Sequence, residues 1–233
     1  MKILALDTSS LACSAALAID GRLTAEVLLN SGLTHSQTLM PAVEALLERE
    51  GLTPADIDLF AAVAGPGSFT GVRIGVCAVK GLCASSGQQC ARVDALEAIA
   101  EGASYEGLIC PILDARRGQV YTALFERRGG ALRRVREDEA LSLAEWLGTL
   151  PKDETVFFSG DGLNVHEALI RDCMGERALI APAHIRVLRA SSACLIAERD
   201  ESIRMDASQL TPVYLRLSQA ERERNERMTR ARI

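Results

Sequence analysis

The stretch Ile3–Leu29, ILALDTSSLACSAALAIDGRLTAEVLL, contains three apolar runs separated by two breaks. Ile3–Leu6 is short and stops at Asp7. Cys13–Ile19 and Leu23–Leu29 are longer and meet at Asp20-Gly21. Asp-Gly between apolar runs is a strong hairpin signal, because both central positions of the favoured two-residue turn need positive φ. The stretch therefore predicts three antiparallel strands. Downstream, Thr34-His-Ser-Gln37 has the pattern of a capping box. The helix it opens carries Leu39, Val43, Leu46 and Leu47 on one face and stops near Gly51, with Pro54 beyond. Ile57–Val63 reads as an apolar run, as in a buried parallel strand. Gly65-Pro-Gly67 breaks it, a helix is expected over Gly71–Ser85, and Cys90–Val93 reads as a short strand. Asp94 and Glu97 form a second capping box before a helix over Ala95–Ala103.

Three meander strands followed by parallel crossovers form the layout of a ribonuclease H-like domain. The second half starts the same way. Leu108–Leu113 ends at Asp114, and Gln119–Phe125 and Leu132–Val135 flank a Gly129-Gly130 turn. A helix near Leu143–Leu150, a strand at Thr155–Ser159 and a helix near Val165–Asp172 follow. The expected class is α/β, with two ribonuclease H-like lobes built on mixed sheets. The repeat is architectural, without visible sequence identity. Residues 1–105 are assigned to the first lobe and 106–217 to the second, degenerate one. A helix near 187–199 is expected to pack back on the first lobe. Residues 218–233 form an Arg/Glu-rich segment without an apolar face, read as a solvated tail.

Composition narrows the classes. The chain has 233 residues, 48% of them hydrophobic, enough for two ordinary domains and against wholesale disorder. The net charge of −5 excludes a surface that is basic all over. Of 26 basic residues only Lys2, Lys80 and Lys152 are lysines. That excess of arginine suits anion or protein contacts, or a GC-rich genome. The apolar runs are too short or interrupted for a membrane span, and Asp7 interrupts any leader, so a cytoplasmic chain is expected. Seven scattered cysteines without a CxxC pair read as reduced core thiols. His35, His166 and His184 lie far apart and make a poor start for a metal site.

Two segments invite chemistry. Ala64–Gly75, AGPGSFTGVRIG, places four glycines between a buried strand and a helix. It allows either an anion at the helix start or a tight turn with close helix–sheet packing. Its spacing fits neither GxGxxG nor GxxxxGK[ST]. Asp7-Thr-Ser-Ser10 ends the first strand and could hold phosphate or Mg²⁺, or close a local Asx turn. The matching turn of the second half, Asp114-Ala-Arg-Arg-Gly118, lacks a hydroxyl after the aspartate, so half of a phosphate-transfer site is missing. His35 opens a helix, where a neutral imidazole is favoured over a cation. Arg116–Arg136 holds seven arginines and one glutamate, Glu126, which suits RNA phosphates or a soluble strand edge. HExxH and GxSxG are both missing, so a zincin protease is unsupported.

Together, ILALDTSS (3–10), THSQTLMP (34–41), GPGSFTGVRIG (65–75), AVKGL (78–82), DARRGQVY (114–121) and PVYLR (212–216) make the chain similar to the bacterial TsaB family, also called YeaZ. The resemblance implies an actin-like ATPase (ASKHA) superfamily fold. It also implies a non-catalytic subunit of the complex that installs threonylcarbamoyl on adenosine 37 of tRNA. The implied partners are a TsaD-like catalytic subunit, a TsaE-like ATPase and a second copy of the chain, with tRNA contact within the complex. No cofactor is implied for the chain itself, and ATP-Mg would enter through partners. The related TsaD carries a metal-binding HxxxH where this chain aligns Ala95 and Ile99. The implied partner surface comprises Ser36, Leu39, Met40, Val43, Leu46, Leu47, Arg73, Val76 and Lys80. Asp7, Thr8, Ser9, Gly65, Gly67, Ser68, Thr70 and Gly71 would be a vestigial phosphate or turn site. The alternative is an ATP-binding enzyme of the same superfamily; a glycoprotein endopeptidase-like protease, a label given to relatives, is disfavoured by the missing HExxH and metal histidines.

Overall fold

The computed structural model describes residues 1–216, so the expected tail at 218–233 lies outside the described residues. Strands β1 (Lys2–Asp7), β2 (Cys13–Ile19) and β3 (Arg22–Leu29) pair antiparallel. Asp20 and Gly21 both have positive φ, 50° and 75°, as the hairpin signal requires. Helix α1 (His35–Glu50) ends on Gly51 in the left-handed conformation. The expected capping box at its start is not formed. The Thr34 side chain makes no cap bond, and Gln37 N–H reaches the Thr34 carbonyl instead. Strand β4 (Leu59–Val63) starts later than expected, because Asp58 turns out to accept from Lys2 N–H at 2.6 Å. Helix α2 (Phe69–Ser86), strand β5 (Gln89–Val93) and helix α3 (Ala95–Glu101) complete this crossover series. Asp94 does cap α3, accepting from Glu97 N–H at 2.7 Å.

The second series repeats the first. Strands β6 (Gly107–Asp114), β7 (Gln119–Arg128) and β8 (Ala131–Ser142) are followed by α4 (Leu143–Gly148), β9 (Val156–Ser159), α5 (Leu163–Met174) and β10 (Ala178–Ile180). Helix α6 (Ala190–Arg199) and the two-residue strand β11 (Arg204–Met205) close the described chain. The sheets run β11-β5-β4-β1-β2-β3 and β10-β9-β6-β7-β8. Without β11 the two orders are the same, position for position. In each, three antiparallel strands are extended by two parallel ones.

Both faces of each sheet are covered, which explains runs too apolar to alternate. Leu4 and Leu6 of β1 face α1 and α2, whereas Ile3 and Ala5 face a middle layer. That layer is α3 and α6, packed between the sheets with Ile109, Leu113 and Phe125 of the second one. Trp146 anchors the outer core of the second lobe. Helix α6 packs on β1 and β2, and β11 pairs with β5. Residues 190–205 therefore belong with the first sheet, α6 lying on its face and β11 adding an edge strand. Five cysteines are buried, but Cys77 and Cys173 are exposed, so the core-thiol reading fails for those two. Among the described residues, no helix is long and apolar enough to cross a membrane.

Candidate functional site

The end of β1 and the glycine turn before α2 are packed backbone to backbone. Ser68 N–H donates to the Ser9 carbonyl at 2.7 Å, and the Thr8 hydroxyl donates to the Gly71 carbonyl at 2.7 Å. A Cβ on Gly71 would overlap the Thr8 carbonyl oxygen, and one on Gly67 would overlap that of Ser9. The glycines thus serve close helix–sheet approach. Asp7 is fully buried; its Oδ1 accepts from Ser9 N–H at 2.8 Å and Ser9 Oγ–H at 2.6 Å. This is the Asx turn, not an open ligand site. Burial pushes the Asp7 carboxyl up to about 7, against the Ser9 bonds that favour the anion. Its Oδ2 has no hydrogen-bond partner among the described residues. Gly65 N-terminal to the turn meets the Val213 carbonyl, and Ser68 caps α2 through Gly71 N–H.

The second lobe repeats this closure with other residues. A Cβ on Gly160 would overlap the Ile112 carbonyl of β6, and Gly162 N–H donates to that same oxygen at 3.0 Å. Between these glycines, Asp161 reaches across the lobes and accepts from Leu11 N–H at 2.9 Å. Burial raises its carboxyl, and the nearby Asp114 adds to the shift. Asp114 accepts from Arg116 N–H at 3.0 Å and contacts His166 Nε2 at 3.3 Å. Gly160-Asp161-Gly162 was legible only as an isolated GDG. Its position one strand after Asp114, matching the glycines after Asp7, was the available signal.

A cleft of about 380 Å³ opens between the lobes. Ser9, Ser68 and Thr70 line one side, and Asp114, Arg116, Asp161 and Asn164 the other. The segment Val213–Arg216 crosses its mouth. Val213 N–H donates to the Ala64 carbonyl at 2.7 Å, and Arg216 Nη1 donates to the Ala115 carbonyl at 2.6 Å. Tyr214 stacks on Phe69 with ring centroids 4.2 Å apart and accepts from Arg73 Nε at 2.8 Å. This strap has no periodicity, so nothing in the residues alone assigned it a role. His35 Nε2–H donates to the Ser10 carbonyl at 2.9 Å, a hydrogen-bonding role.

The family-implied partner surface divides in two. Leu39, Val43, Leu46, Leu47 and Val76 are at most 5% exposed and close the lobe's own core, so they are not on the surface. Lys80 is turned inward as well, donating to the carbonyls of Ser208 and Leu210. Ser36, Met40 and Arg73 remain exposed. Around them, α1 also exposes Glu44 and Ala45, and α2 exposes Cys77, Gly81 and Ala84. Ala95 and Ile99 are buried in the middle layer among neighbouring apolar side chains.

These observations fix two matching lobes and a buried first turn. The family described as "TsaD: tRNA N6-adenosine threonylcarbamoyltransferase" matches residues 30–224. The "tRNA threonylcarbamoyladenosine biosynthesis protein TsaB" of Bacillus subtilis (strain 168) is 39% identical over 223 residues, covering 95% of this chain and 96% of that one. The chain belongs to the TsaB (YeaZ) family. The protein of the same name from Escherichia coli (strain K12) is 37% identical over 144 residues, 60% of this chain and 62% of that one. The solved structure "YeaZ from Pseudomonas aeruginosa" superposes with a TM-score of 0.78 at 29% identity, covering 92% of this chain and 99% of that one. The TsaB-family architecture seen here is two lobes whose five-stranded sheets share one strand order.

Proposed function

We propose that this chain serves tRNA threonylcarbamoyladenosine biosynthesis as a non-catalytic subunit. It binds and stabilises a TsaD-type catalytic subunit, helps recruit a TsaE-type ATPase in the cytoplasm, and pairs with itself when alone. The observation that carries this reading is the buried Asx turn at Asp7–Ser9, with Asp7 engaged by Ser9 and packed against the start of α2. The names of the relatives supply the pathway. With Ala95 and Ile99 at the positions aligned to the TsaD histidines, the chain holds no metal there and needs no cofactor of its own. ATP-Mg enters through its partners.

The docking surface is the exposed side of α1 and α2 around Met40 and Arg73. Exposed apolar side chains of this kind mark partner contacts. Reconstitution with the purified TsaD-type and TsaE-type subunits tests the reading. Omitting this chain is expected to abolish tRNA modification, and Met40→Asp to weaken capture of the TsaD-type subunit about tenfold or more. Modification that proceeds equally well without the chain overturns the role. The interlobe cleft favours one second reading, an ATP-binding enzyme. Calorimetry with ATP-Mg, followed by hydrolysis that is lost in Asp7→Ala, would select it.

A further inference from the structure

Of the seven arginines between residues 116 and 136, five are held by the fold. Arg127 donates to the carbonyls of Ala100 and Glu101, and Arg128 and Arg133 share Glu126. Arg134 lies between Asp94 and Asp138, and Arg136 pairs with Glu139 over the Trp146 ring. Arg116 and Arg117 differ. They occupy consecutive left-handed positions, φ 66° and 55°, in the turn from β6 to β7, and both are exposed. Residues other than glycine adopt this conformation reluctantly, and such backbone persists where the surroundings impose it. The hydrogen bond from Arg216 to the Ala115 carbonyl brings a third guanidinium to the same turn. Among the described residues, Arg117 and Arg216 have no acidic partner. Arg116 has Asp114 at 3.8 Å, a carboxylate already engaged by Arg116 N–H and His166, and feels the charge of the half-engaged Asp161 nearby.

Three like charges on one turn repel one another, and an anion relieves that repulsion. The facing wall of the cleft suits a nucleotide chain. It presents Ser68 and Thr70 at the start of α2, where phosphate oxygens are favoured, and Tyr214, 38% exposed, on which a base can stack. We propose that the Arg116–Arg117 turn, with Arg216, docks the phosphate backbone of the tRNA that is modified. The choice of tRNA rests on the function proposed above; the phosphate chemistry does not. The molecule as a whole carries −5, so attraction is confined to this lip and is strongly screened by salt.

The test is fluorescence anisotropy of a labelled tRNA transcript with the full chain between about 50 and 200 mM KCl. Each phosphate contact contributes about 0.9 to the slope of log K against log salt. The double variant R116N/R117N keeps residues that tolerate the left-handed turn. It is expected to bind at least about tenfold more weakly at low salt, with a slope smaller by about 2. R128Q/R133Q, at arginines occupied by Glu126, is expected to bind like the native chain. No binding at about 50 mM, equal losses in both variants, or an unchanged R116N/R117N overturns the proposal. So does an R116N/R117N that loses the TsaD-type subunit while keeping its tRNA affinity, since the turn would then be a protein contact. Loss of tRNA with partner capture intact supports it, even if the subunit role itself were to fail.

Discussion

At the scale of single residues, two glycines of one helix have opposite meanings. Gly71 meets the backbone of β1, whereas a Cβ on Gly81 would meet nothing within 4 Å. Gly71→Ala forces α2 off the strand and is expected to cost about 3 kcal/mol or more. Gly81→Ala restricts the unfolded chain and favours the helix, so a gain of about 0.5–1 kcal/mol is expected. Urea unfolding of both variants checks the contrast; equal effects would mean that α2 does not depend on the close approach. The sequence pattern showed that the segment needs glycine but left open whether the reason was a ligand or a neighbouring backbone. Only the position of the Thr8 carbonyl resolves that, and it is set by a strand some sixty residues away, |i−j| being 63 for the Thr8–Gly71 bond.

At the scale of elements, the strap at Val213–Arg216 depends on Tyr214. Its ring stacks on Phe69, and its hydroxyl meets Arg73, so the side chain fixes a segment that otherwise has two backbone or side-chain bonds to the lobes. Tyr214→Ala is expected to cost about 1 kcal/mol and to speed amide exchange at Val213, whose N–H bonds to Ala64. Exchange measured by mass spectrometry checks this; unchanged protection would place the hold elsewhere. Elements with strong period or turn chemistry were legible from the residues: the Asp20-Gly21 hairpin, α1, and the crossover through β4 and α2. The strands β10 and β11, of three and two residues, were not. Segments that short have no period, and partner strands alone define them. The Thr34 cap failed because the Thr34 carbonyl serves the Gln37 N–H that the hydroxyl was expected to serve.

At the scale of the molecule, buried carboxyls sit where the lobes meet. Asp7 faces Asp161 across the boundary, and Asp138 faces Asp94 with Arg134 between them. Burial pushes Asp7 and Asp138 up to about 7, well above the ordinary 3.8. The folded state therefore holds protons that the unfolded chain has already released. Stability from this source is complete below about pH 4 and is lost as pH rises through 7. Asp7→Asn removes the ionisation while keeping the acceptor for Ser9. Its melting temperature is expected to exceed that of the native chain by several degrees at pH 8 and by clearly less at pH 5. Equal differences at both pH values would place the charge elsewhere. The doubled architecture was legible from strand order alone, because each half repeats the same succession of runs and turns. The surface positions on α1 were not: Leu39 and Met40 are neighbours in sequence, and only packing separates the buried one from the exposed one.

The Cys194 thiol lies against the Ile3 carbonyl, 191 residues away along the chain, because α6 covers the sheet that β1 began. On a ribosome, β1 to β5 emerge long before that cover exists. Ninety-seven residues separate Val93 from Ala190, roughly 5–20 s of synthesis at 5–20 residues per second. During that interval Ile3, Ala5, Ala16 and Ala18 have no α6 to lie under. A chain cut short anywhere in the second lobe is thus left with this face of the sheet without α6, a sticky apolar surface that the full-length fold buries.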